Sequence, residues 1–375
     1  MKILCVMDNL SAVSGVSTIV MGIYRNISPQ TMHMDFLICN KQRDSYESEI
    51  LANEGKVYYT GNFLSPKHIL SAIKNSKKFF AEHGKEYDIV HLHSPTIGMF
   101  TLKYAKKYGV PVRIVHSHSS MSSVNKIKAV INRFLMDRSK KYANEFFTCS
   151  PEASRFLYGD RFCAEHNVEM VYNAVDCSKF TYDKEVAKAT RHRLGVEGNT
   201  VFLHVSNYSP IKNHVFLLDV IEQFSREGKK VKFVFVGNGP TRQSFEDELT
   251  NRGIKDLCVF VDKTSDVAQY LYAADAILLP SLKEGLPLTL VEGQAAGLPF
   301  FSSDTVTREV LVADGEFIPL DSNKWYDSLS ALVPLTPDER ASASEKFKES
   351  KFNIEIEAAR VADLYEKLAK GAKKQ

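Results

Sequence analysis

Short apolar runs recur along the chain, and each is followed by turn residues or by a longer stretch with helical spacing. KILCVM, MDFLICN, DIVHLH, VRIVHSHS and EFFTCS in the first half are rich in β-branched residues and bounded by polar ones, which predicts strands. Strands alternating with helical patterns imply parallel sheets joined by crossover helices. After Asn173-Ala174-Val175-Asp176 the chain turns polar through YDKEVAKATRHR. A second series then begins with TVFLHVS, VKFVFVG, CVFVD, AILLPS and PFFSSD. The pattern predicts an α/β protein with domains over residues 1–175 and 198–353 and a linker over 176–197. The last stretch, within 354–375, has helical spacing at Ile356, Ala359, Val361, Leu364 and Leu368. It is expected to pack back on the first domain and to reach across both.

The length of 375 residues suits two such domains, each able to bury most of its apolar surface. Composition changes this picture little, with 44% hydrophobic and 25% charged residues. A net charge of +3 provides no global field for nucleic acid, so partners must be read from sites. Six cysteines are scattered without a CxxC pair, and a reduced, cytoplasmic interior is the expectation. MKILCVMD is too short an apolar run for a secretory signal and reads as a first strand. No stretch approaches the roughly 20 apolar residues that span a bilayer, so any membrane contact would be peripheral.

In an open α/β sheet, ligands bind outside the carboxyl ends of the strands, and the chemistry-bearing residues of this chain follow strand ends. In LLPSLKEGLPLTLVEGQAAGLP a buried strand ends at Pro280-Ser281, Gly285 relieves bulk, and Pro287 opens a helix. Free N–H groups of that helix could face a diphosphate, while Glu284 and Glu292 accept hydrogen bonds from hydroxyls. By themselves the two glutamates read equally as a first-turn charge and an exposed helix residue. Lys212 follows another strand, where a cation could meet phosphate or simply stand in solvent. Gly237-Asn238-Gly239-Pro240 lacks the third glycine of a dinucleotide loop and reads as a tight strand-to-helix turn.

Histidines close two strands, His91 and His93 in HLHS, His116 and His118 in HSHS. Alternation sends 116 and 118 to one side. No carboxylate or cysteine completes a metal set around them, and no Asp-x-Asp pair exists to clamp a divalent ion. The sequence therefore predicts chemistry without metal or cofactor.

Taken together, VRIVHSHS, FFTCSPEASRFLYG, VYNAVD, SPIKNHVFLLDVI, FVGNGP and the Glu284-to-Glu292 segment resemble the retaining glycosyltransferases of family 4, most closely those of capsule and exopolysaccharide assembly. The resemblance covers nearly the whole chain. It implies the GT-B fold, two Rossmann-like domains facing a central cleft, with acceptor binding in the first and donor binding in the second. It implies transfer of a hexose or related sugar from a nucleoside-diphosphate sugar, UDP-sugar favoured, to a glycan or lipid-linked glycan. His118, Lys212 and Glu284 would be catalytic. Gly15, Asn207, Gly237, Gly239, Gly285, Leu286, Pro287, Leu288 and Glu292 would join Lys212 and Glu284 in holding the donor, Glu292 on the ribose hydroxyls.

Three positions depart from the family pattern. Ser206-Asn207 stands where Gly-Arg is usual, so a phosphate-binding cation is missing; Arg242 or Arg193 could stand in. Ser14-Gly15-Val16-Ser17 replaces a Gly-Gly turn and carboxylate, and Asp262 and Thr264 replace Gly and Arg before Ser265-Asp266-Val267. These departures keep open a catalytically silent, partner-binding member; a sugar-nucleotide epimerase is the other alternative. YAKKYGV and NKIKAVINRFLMDRSKKYANEFF mix cations with Ile, Phe, Leu and Met, as either a solvated helix or a peripheral membrane contact would.

Overall fold

The apolar runs form strands buried along nearly their whole length, as expected of parallel sheets covered on both faces. The computed structural model describes residues 1–12, 14–63, 65, 67–119 and 126–373. Its chain divides into two units, Met1–Asn173 with Ile354–Gln375, and Ala174–Asn353.

Among the described residues the first unit holds seven strands: β1 (Lys2–Met7), β2 (His33–Ile38), β3 (Val57–Tyr59), β4 (Ile89–Leu92), β5 (Val112–Ser117), β6 (Glu145–Thr148) and β7 (Glu169–Met170). They run parallel in the order β3-β2-β1-β4-β5-β6-β7. The order reverses between β1 and β4, the place where doubly wound sheets open a crevice at their carboxyl ends. A hydrogen bond from Asp8 N to Ser94 Oγ (3.0 Å) ties the two strand ends there.

The second unit repeats the plan with β8 (Thr200–Val205), β9 (Val231–Val236), β10 (Cys258–Val261), β11 (Ala276–Leu279), β12 (Phe300–Ser303) and β13 (Gly315–Ile318). Their order is β10-β9-β8-β11-β12-β13, all parallel, with the reversal between β8 and β11. Each unit has its own core, around Phe80, Tyr87 and Val115 in the first and Phe224, Phe233 and Trp325 in the second.

Two expectations are corrected. The stretch 176–197 is not a plain linker, because Lys184–Leu194 is a helix of the second unit. Asp183 caps its start by accepting from Glu185 N and Val186 N, and Gly195 ends it in the left-handed conformation. Ala187 and Thr190 are buried, and Arg191 donates to the Ala273 carbonyl and pairs with Asp275. The polar composition that suggested a linker is the solvent face of this helix. The C-terminal helix Ile354–Ala372 belongs to the first unit, but its buried stripe is Ile354, Ala358, Val361, Tyr365 and Ala369. Ile356 is exposed, so the apolar face expected from Ile356 and Ala359 is rotated. Tyr365 buries its ring because its hydroxyl finds a partner in His91, which the hydrophobic count alone does not register.

Candidate functional site

Backbone contact, rather than turn chemistry alone, explains the two glycines after β9. Gly237 and Gly239 have φ of 149° and 157°. A Cβ on them would lie 1.9 Å from the Ser206 carbonyl oxygen and 2.6 Å from that of Tyr208, closer than any side chain tolerates. The loops after β8 and β9 are thereby held backbone to backbone, with Tyr208 N donating to Asn238 O at 3.1 Å.

The loop after β8 is tied equally to the loop after β11. Leu282 N donates to Ile211 O at 2.8 Å, and Asn213, itself left-handed at φ 55°, donates from Nδ2 to Pro280 O. This lacing brings Lys212 Nζ to 2.6 Å from Glu284 Oε1. The two residues that sequence reasoning named as separate ligand-holding groups are thus joined as a mostly buried ion pair.

Pro287 stands at the N-cap of the helix Leu288–Ala295. Thr289 Oγ1 donates to Val205 O, and a Cβ on Gly293 would lie 2.0 Å from Ile277 Cδ1, so the helix is pressed onto β11. Leu286 is buried beneath its start. Gly285 precedes Leu286 directly in this turn. Glu292, on that helix, has its carboxyl driven up to about 7 by burial, so near neutral pH it is divided between acid and carboxylate, and hydrogen-bond donors brought by a ligand would draw it toward carboxylate.

Asn207 is exposed, and its Oδ1 accepts from Ser209 Oγ at 2.8 Å. It lines a pocket with Ser206, Gly237, Asn238, Lys263 and Thr264. Lys263 is the cation that the sequence reading missed; its only signal was its place between the substituted positions 262 and 264. The two proposed stand-ins are committed elsewhere. Arg242 donates to Glu246, to the Gly237 carbonyl and to Asp262, while Arg193 donates to Gln269 and lies over the Tyr270 ring. Asp262 therefore has a structural role, fixing Arg242. His214 was also passed over. It is buried against Tyr208, its ring nitrogen Nε2 lies 3.3 Å from Ser206 Oγ, and burial with His204 nearby lowers it to about 2.

In the first unit, Gly15 begins the helix Gly15–Asn26, whose N-cap Ser14 accepts from Ser17 N. His118 follows β5 and meets His93, with His93 Nδ1 2.9 Å from His118 Nε2. The four histidines form a stacked array, with centroids 4.0 Å apart for His91 and His93 and 3.9 Å for His116 and His118. His91, His93 and His116 each offer a ring nitrogen within 4.8 Å of the others, a spacing open to metal. Both nitrogens of His91 are engaged, however, Nδ1 2.6 Å from the Tyr365 hydroxyl and Nε2 3.1 Å from His116 Nδ1. Burial is the largest cause lowering all four imidazoles, and they stay neutral. Gly15 and His118 lie in the first unit and the remaining expected residues in the second.

The sequence matches the family described as Glycosyltransferase Family 4 over residues 13–179 and that of Glycosyl transferases group 1 over 187–335. It is 28% identical over 302 residues to a putative glycosyltransferase, EpsF, of Bacillus subtilis (strain 168), covering 79% of this chain and 77% of that protein. It is 27% identical over 312 residues to the UDP-Gal:alpha-D-GlcNAc-diphosphoundecaprenol alpha-1,3-galactosyltransferase of Escherichia coli, covering 80% and 79%. Among solved structures, Anabaena Alr3699/HepE in complex with UDP superposes with a TM-score of 0.80 at 17% identity, over 98% of this chain and 100% of that one. Two α/β units built on parallel sheets, matched by family descriptions along most of the length, establish that the chain belongs to the family-4 glycosyltransferases, with the GT-B fold.

Proposed function

We propose that the protein transfers a hexose from a UDP-sugar to a glycan or lipid-linked glycan acceptor, with retention at the anomeric carbon and without a metal ion. The observation that carries this reading is the Lys212–Glu284 pair at 2.6 Å, set between the ends of β8 and β11 that hydrogen bonds lace together. A diphosphate competes with Glu284 for Lys212 and frees the carboxylate to accept a sugar hydroxyl. Leaving-group stabilisation by Lys212 and the helix start at Leu288 then needs no protein nucleophile, and an acceptor attacking from the face the diphosphate leaves would retain configuration. Glu292 suits the ribose hydroxyls, and Lys263 replaces the arginine missing at position 207.

The donor assignment is supported by UDP in the HepE complex and by the UDP-Gal of the E. coli enzyme's name. That name, with its diphosphoundecaprenol, also supports a lipid-linked acceptor. The metal-free reading draws on the lack of an Asp-x-Asp pair and on the engaged nitrogens of His91.

No helix among the described residues is long and apolar enough to cross a membrane. The helix Lys126–Lys140 nevertheless exposes Ile127, Val130, Ile131 and Phe134 on one face, with Lys128, Arg133 and Arg138 on the same element. An anionic bilayer fits that mixture, the cations meeting headgroups and the apolar face the acyl boundary. Co-sedimentation with phosphatidylglycerol vesicles should be lost in Ile131→Glu/Phe134→Glu.

The deciding experiment is calorimetric titration with UDP, GDP, ADP and NAD in the presence of EDTA, on the natural protein and on Glu292→Ala. Selective UDP binding that the variant loses is the expected result. Absence of any nucleotide binding would overturn the reading in favour of a silent, partner-binding protein.

A further inference from the structure

β4 and β5 run parallel with Leu92 opposite Val115, and this register sets the ring of His93, just past β4, beside that of His118, just past β5. One nitrogen of each ring meets the other ring at 2.9 Å. The remaining nitrogens, His93 Nε2 and His118 Nδ1, are buried and have no partner among the described residues. Both histidines line one pocket of the first unit, together with Thr96, Asn132, Met136 and Phe156.

A neutral imidazole has one N–H and one lone pair on its two nitrogens. The contact between the rings uses one N–H and one lone pair. If His118 Nε2 donates, His118 Nδ1 is left as an acceptor and His93 Nε2 as a donor; if His93 Nδ1 donates, the roles exchange. In either state one donor and one acceptor nitrogen are left without a partner among the described residues. Buried nitrogens left without partners are costly, and the groups that satisfy such a set are those that both donate and accept, as hydroxyls do.

We propose that His93 and His118 form a coupled tautomeric pair that holds sugar hydroxyls in this pocket, His93 being the positioning residue that decides which nitrogen of His118 carries the hydrogen. Their neutral state agrees with this, burial holding His93 well below its ordinary value and His118 down to about 3. Only the identity of the sugar, donor or acceptor, rests on the transferase reading.

The test is ¹⁵N–¹H spectroscopy of the full chain labelled in histidine, at pH 7. Octyl β-D-glucoside below its micellar concentration represents an acceptor; UDP-glucose, compared with UDP, represents the donor. The expected result is that ring nitrogens of His93 and His118 shift together and saturably with one of these sugars, while exposed His192 does not move. No shift with either sugar overturns the proposal. His93→Phe keeps the stacked ring but not the bond, and should raise the KM for the shifting sugar about tenfold with kcat nearly kept. His93→Asn, which can still bond His118, should restore much of that loss; equal kinetics for Phe and histidine would also overturn it. If UDP does not bind while the glucoside shifts the rings, the transferase reading falls and the pair stands. If UDP binds and neither sugar shifts the rings, the reverse holds.

Discussion

The two units share one sheet plan but arm its carboxyl edge differently. In the second unit the strand ends carry ions, the Lys212–Glu284 pair and Lys263, with the titratable carboxyl of Glu292 on the following helix. In the first they carry four imidazoles that burial keeps uncharged. A charged edge suits a diphosphate and a neutral, bonded edge suits hydroxyls, so the same topology can serve both ends of a sugar transfer. The difference lies in side chains at the strand ends and not in the sheets.

The sharpest way to break this contrast is Lys212→Ala, which should lower turnover with a UDP-sugar by about 10²–10³-fold in initial-rate assays. A loss below tenfold would mean that Lys212 serves only to neutralise Glu284. Next comes the pH dependence of UDP affinity. Glu292 is raised from its ordinary value to about 7, so its carboxylate form, the one proposed to accept from ribose, is lost as pH falls through 7. Affinity should drop about tenfold between pH 8 and pH 6, and Glu292→Gln should abolish that slope. The sign for stability is opposite. The folded state holds this proton more tightly than the unfolded chain, so ionisation costs stability as pH rises from about 4.5 toward 7 and above. Glu292→Gln should therefore melt roughly 2–4 °C higher than the natural protein at pH 8 and show no such gain at pH 4.

A smaller effect is expected at Lys263→Ala, where UDP affinity should fall about fivefold, as for an exposed cation; calorimetry reads it. Smallest is the response to salt. Raising ionic strength from about 0.05 to 0.5 M shortens the screening length and should weaken UDP binding two- to threefold while leaving octyl glucoside binding unchanged. Equal salt dependence for both ligands would dissolve the distinction between the edges.

Much of this was legible in the sequence. The strand runs, the two-unit plan and the strand-end placement of Lys212, Glu284 and His118 follow from local pattern. What escaped it depends on neighbours distant in the chain. The Lys212–Glu284 bond spans 72 positions, and no local spacing announces that two candidate ligands will satisfy each other. Lys263 carries no motif of its own, and only the fold sets it in one pocket with Asn207. The rotated face of the C-terminal helix turned on Tyr365, whose burial depends on a bond to His91, 274 positions away. Asp262, one of the departures from the family pattern, becomes intelligible only through its pairing with Arg242.

The division of the chain sets an order of assembly during synthesis. The second unit is an insertion whose entering and leaving segments touch, Val175 N donating to Phe352 O at 2.9 Å, so all its residues are in hand once position 353 has left the ribosome. The strands of the first unit precede it in the chain but must wait for the helix Ile354–Ala372 to seat Val361 and Tyr365. At translation rates of about 5–20 residues per second, its earliest strands spend tens of seconds without their last covering element. The later-made unit can be finished first, and the nascent N-terminal sheet is the surface a chaperone has longest to guard.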